Sequence, residues 1–79
     1  MTKFSERLKS VRLEQGHTQK QAGEGIGISE SHYQHYEYGK REPSIGKLEV
    51  LCRYFNVSAD YLLGLSDNPA PKEKDTNGG

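Results

Sequence analysis

The chain has 79 residues, enough for one small domain with a modest core. Hydrophobic residues make up 32% and charged residues 28%, and no apolar run approaches the roughly 18 residues of a membrane span, which suits a soluble, helix-rich globule better than a membrane protein. One cysteine cannot staple a fold, and 11 basic side chains balance 11 acidic ones, so the chain is neither a disulfide scaffold nor basic overall.

The opening Met-Thr-Lys-Phe-Ser-Glu-Arg has charge with no apolar stretch behind it, which is not the pattern of a signal peptide. Together with the lone Cys52, this makes a reducing, cytoplasmic compartment the expectation. The first predicted helix runs from Thr2 to Gln15, where Phe4, Leu8 and Val11 make one apolar stripe. Gly16 ends it. The second opens at Thr18, where Thr18 and Gln21 form a capping-box pattern, and runs to about Ile26. The third takes Ser29 as N-cap and reaches about Tyr38, with Tyr33 and Tyr36 on its inner face and Gly39 after it. Ser44 caps the fourth, on which Leu48, Leu51 and Phe55 line up. Ser58 caps a last short helix with Tyr61 and Leu62. From Asp67 the chain turns to Asp, Asn, Pro, Lys, Glu and Gly, so 1–66 reads as the domain and 67–79 as a disordered tail or linker. Five helices and no strand alternation predict a compact all-α fold.

The informative stretch is Thr18 to Glu37, two short helices joined by a tight turn at Gly27, with Ile26 and Ile28 as anchors. Gly23 stands in mid-helix, where glycine costs about 1 kcal/mol relative to alanine. A helix that keeps it there needs a close backbone neighbour. With Tyr33 and Tyr36 turned inward, Glu30, Ser31, His32, Gln34 and His35 face outward. Such a face, polar and mostly uncharged, suits the reading of base edges in a major groove. Up to Ser66 there are nine Lys/Arg against eight Asp/Glu, so affinity for a phosphate backbone must come from local placement.

These stretches resemble the Cro and phage-repressor (XRE-like) helix-turn-helix domains over roughly Phe4 to Leu65. The matching pieces are Arg7-Leu8-Lys9, Arg12, Thr18-Gln19, Gly27-Ile28-Ser29, Tyr36-Glu37, Gly39-Lys40-Arg41 with Pro43-Ser44, and Val57 to Gly64. The resemblance implies a sequence-specific binder of double-stranded DNA that regulates transcription. It implies a repressor acting as a homodimer on a partly palindromic operator. Glu30, Ser31 and His35 match the main base-reading positions, with His32 and Gln34 secondary. Thr18, Gln19, Tyr38, Lys40 and Arg41 match contacts to the DNA backbone, which set register without reading sequence. Arg12 and Glu37 match a pair whose charges meet beside the DNA surface. The dimer surface is expected around Val57 to Leu65. Where the family has leucine and alanine, this chain has Ala22 and Gly23, and Gly25 replaces a helix former, so a loosely packed first motif helix is expected. Tyr33 and Tyr36 then refill the missing volume. His17 stands where the family prefers an apolar residue.

Other readings carry less. Glu30 is open between a partner for cytosine N4 and a carboxylate favoured by the helix dipole. The histidines are read as plain donors or acceptors before pH-sensitive ones. Cys52 is expected as a small apolar filler, and no metal or cofactor is expected. No catalytic set or phosphate loop is present, so the chain is not expected to be an enzyme. The rival reading is a protein-interaction module of antitoxin or anti-repressor type on the same fold.

Overall fold

A computed structural model describes residues 3–71. Among these it contains five helices and no strand: α1 (Lys3–Glu14), α2 (Gln19–Ile26), α3 (Glu30–Glu37), α4 (Ile45–Phe55) and α5 (Ala59–Leu63). Each start except that of α1 is fixed by a hydroxyl. Thr18, Ser29, Ser44 and Ser58 all have extended backbone and accept from the amide three residues on. This satisfies an amide that the helix itself leaves without a partner. At Thr18 the box is closed: Gln21 N donates to Thr18 Oγ1 at 3.0 Å, and Thr18 N donates to Gln21 Oε1 at 2.8 Å.

The ends are set as firmly. Gly27 takes φ 81°, a left-handed conformation that glycine enters without steric cost, and so reverses the chain between α2 and α3. Asn56 does the same after α4 at φ 57°, the one non-glycine residue with positive φ among those described.

The core gathers Phe4, Leu8 and Val11 from α1, Ala22 and Ile26 from α2, and Tyr33 and Tyr36 from α3. Leu51 and Phe55 of α4, Val57 of the link and Leu62 of α5 close it. Burying each large apolar side chain stabilises by about 1.5–3 kcal/mol. α2 packs chiefly on α3, α1 on α3 and α5, and α4 lies against α2. Phe4, Tyr33 and Tyr36 meet edge to face, with ring centroids 6.4 Å apart in both pairs.

Interactions with the domain continue past the boundary expected at Ser66. Arg7 donates to the carbonyls of Tyr61 and Ser66 and, at 2.9 Å, to the Asp67 carboxylate. Its guanidinium sits 4.2 Å above the Tyr61 ring. Ser58 N donates to Pro69 O at 3.0 Å. Polar composition placed Asp67 to Pro71 outside the fold, and a single arginine straps their start onto it. Residues 72–79 of the expected tail lie outside the described residues.

Candidate nucleic-acid interface

The close backbone neighbour expected for Gly23 is the turn itself. A Cβ at that position would stand 3.1 Å from Ser29 O and 3.2 Å from Ile28 O. Gly23 O in turn accepts from Ile28 N at 2.9 Å. Glycine here lets α3 cross α2 closely, which fixes the angle at which α3 is presented.

The expectation of a loosely packed α2 is not met. Ala22 is fully buried. Gly25 is a slot for Tyr54 of α4: a Cβ there would fall inside the volume of the Tyr54 ring. Tyr54 packs edge to face on Phe55, and its hydroxyl lies 3.3 Å from His17 Nδ1. His17, polar where an apolar residue is usual, uses its ring between Tyr54 and Phe55. Volume that Gly25 leaves open on α2 is thus filled from α4. Cys52 is half-buried against the core, where burial pushes its thiol up from the usual value.

The Arg12–Glu37 pair is buried. Arg12 donates to the Glu37 carboxylate through Nε at 2.6 Å and Nη2 at 3.0 Å, and the Glu37 side chain is fully enclosed. A polar chain leads outward from it. Gln19 Nε2 donates to Glu37 Oε1, and Gln34 Nε2 donates to Gln19 Oε1, both at 3.1 Å. Burial by itself would raise the Glu37 carboxyl. Hydrogen bonds from Arg12 and Gln19 and the Arg12 charge overcome that and hold it below its ordinary value. The Tyr33 hydroxyl is buried beside this pair and favours the carboxylate as a neighbouring dipole, yet no group meets it in hydrogen-bond geometry. Burial holds its phenol far above the usual range.

The five outward residues of α3 divide in two. Glu30 and Ser31 are exposed, His35 is half-buried at the rim, and none of their side chains makes a hydrogen bond among the described residues. Their donors and acceptors are unspent. Gln34 gives its Nε2 to Gln19, and His32 Nε2 lies against Tyr36 and Arg41, so each has already committed one polar atom to an inner partner. The backbone-contact candidates divide likewise. Tyr38 is 54% exposed and Lys40 and Arg41 stand exposed in the loop after α3, whereas Gln19 is half-buried in the chain to Glu37. Thr18 holds its cap. Beside Arg41 the loop and the start of α4 form a recess lined by His32, Tyr36, Arg41, Glu42, Ser44 and Lys47. Sequence reasoning missed Lys47. The signal for it was available: a basic residue in the first turn after the Ser44 cap, close to the Lys40-Arg41 loop.

Comparison with known proteins agrees with this geometry. The helix-turn-helix family profile matches residues 8–62. The uncharacterized HTH-type transcriptional regulator YobD of Bacillus subtilis is 40% identical over 94% of this chain, and the HTH-type transcriptional regulator ImmR of the same organism is 39% identical over 91%. The chain spans 66% and 57% of the length of these relatives. Among solved structures, the P22 c2 repressor protein in complex with a synthetic operator is similar at TM-score 0.75 and 27% identity, over 80% of this chain and 96% of that one. Motifs, all-helical architecture and these likenesses agree: the chain belongs to the helix-turn-helix family, in its Cro and phage-repressor (XRE-like) form.

Proposed function

We propose that this chain is a sequence-specific regulator of transcription that binds double-stranded DNA through α3. The observation that carries the reading is the division of the α3 face. Glu30 and Ser31 in the first turn of α3 and His35 in its last present unspent hydrogen-bonding groups, which is what base readout requires. Lys40, Arg41 and Tyr38 flank that face where the DNA backbone would run, and Thr18 and Gln19 stand at the start of α2 behind it. Gln34 and Gln19 act through the Glu37 chain, holding α2 and α3 in register.

The protein acts as a repressor in the cytoplasm, without catalysis, as a homodimer on a partly palindromic operator. Half-sites lie about 34 Å apart, one helical turn. Exposed Leu63 and Leu65, 46% and 74% accessible, offer an apolar surface for the second copy.

Selection of bound sites from a random DNA pool, followed by gel shift, tests the reading. One half-site sequence should emerge, and affinity should fall steeply with salt. Lys40→Ala and Arg41→Ala should weaken binding to all sequences alike, while Ser31→Ala or His35→Ala should change the preferred site. Equal weak binding to every duplex would overturn specificity. No DNA affinity at low salt would turn the assignment to a protein-interaction module.

A further inference from the structure

His32 differs from the other outward residues of α3. Its Nε2 lies 3.2 Å from the Tyr36 hydroxyl and 3.4 Å from Arg41 Nη1. The His32 and Tyr36 rings lean together with centroids 5.2 Å apart. Arginine has donors and no acceptor, so its contact with Nε2 is attractive only while that nitrogen keeps its lone pair. The ring hydrogen then sits on Nδ1. In that tautomer the Tyr36 hydroxyl and Arg41 share the single lone pair of Nε2 in a three-centre contact, which accounts for the length of both distances. The charged and titratable groups around His32 are Tyr36 from α3, Arg41 and Glu42 from the loop, and Lys47 from α4.

We infer that His32 positions Arg41 rather than reading a base: the neutral ring parks the guanidinium against α3, and the protonated ring releases it toward the backbone of bound DNA. This rests on the DNA-binding reading above. The Arg41 contact is long for a hydrogen bond and therefore weak, as a parked side chain requires. Once protonated, Nε2 is a donor facing a cation, and the contact turns repulsive. Arg41 is exposed and has room to turn outward. Of the charged groups around the recess, Arg41 is the one whose side chain meets the ring nitrogen. DNA affinity therefore rises as the ring gains its proton.

The test is binding of the selected duplex at pH 8 and pH 6 over a series of salt concentrations. The wild type should bind about fivefold tighter at pH 6. Its plot of log affinity against log salt should steepen by about 0.9, the signature of one added phosphate contact. His32→Gln and Arg41→Gln should each abolish both changes, whereas His35→Gln, measured on the duplex that this variant itself selects, should keep them. The duplex sequence selected by His32→Gln should match that of the wild type. A pH response that survives in His32→Gln or Arg41→Gln, or that vanishes in His35→Gln, would overturn the inference. So would a changed sequence preference in His32→Gln. Failure of the wild type to bind any duplex at low salt would instead remove the DNA-binding reading, and the inference with it.

Discussion

Two arginine–carboxylate pairs anchor this small domain, both within hydrogen-bond length and otherwise unlike. Arg12 and Glu37 meet at 2.6 Å between α1 and α3, with 9% and none of their side-chain surfaces exposed. Arg7 and Asp67 meet at 2.9 Å at the surface, where the Asp67 side chain is 99% exposed. Distance alone would rank them as equals. Burial separates them: an enclosed charge that loses its partner has no water to turn to, while an exposed one loses little. The inner pair fixes how α3 is carried on α1. The outer arginine does most of its work through other contacts, to two backbone carbonyls and one aromatic ring.

The comparison can be broken at several points. The largest effect is expected from Glu37→Gln, which leaves Arg12 buried without a counter-charge. It should cost about 3–5 kcal/mol in denaturant unfolding, enough to threaten the fold of a small domain. The pH dependence has the same origin. The Glu37 carboxyl is held below its ordinary 4.5, so the stability it gives is fully present above 4.5 and is lost as pH falls through the lower folded value. Acid titration of the wild type should show this loss.

A smaller effect is expected at the strap. Arg7→Ala removes the bonds to Tyr61 O and Ser66 O as well as the ring contact, and should cost about 1–2 kcal/mol. Asp67→Asn should leave the melting temperature unchanged although it deletes the ion pair. An Asp67→Asn effect as large as that of Arg7→Ala would contradict the ranking by burial.

The smallest effect sharpens the description of the inner pair. Tyr33→Phe removes a buried hydroxyl that has no hydrogen-bond partner, and should change stability by less than about 1 kcal/mol, in the stabilising direction. A loss well beyond that would mean the hydroxyl supports Glu37 more strongly than its geometry indicates. Tyr33→Ile separates ring volume from hydroxyl. The ring is fully buried, so a clear drop in melting temperature is expected if it refills space that α2 leaves open.

Much of the candidate interface was legible in the sequence, and the rest was not for an identifiable reason. Glu30, Ser31 and His35 follow from helical period and a known motif. His32 shares that period and faces the same way, so nothing local distinguishes it. Its tie to Arg41 depends on where the loop after α3 returns. Gly25 reads as a defect in a helix because the residue that needs it, Tyr54, belongs to another helix. Arg12 and Glu37 could be paired by resemblance, but the depth of the pair depends on how α1 and α3 close over it.

By itself the sequence determined the element order, because the starts of α2 to α5 are fixed by neighbours in the chain. Thr18, Ser29, Ser44 and Ser58 satisfy amides three residues away, and Gly27, Asn56 and Gly64 reverse the chain by their own backbone freedom. Only the tertiary structure decided which polar side chains of α3 are spent and which are left for a partner. It also decided that Gly25 is a slot and that Arg7 holds residues after Ser66 onto the fold. Those outcomes depend on groups far apart in the chain, and no period or cap encodes the distance between them.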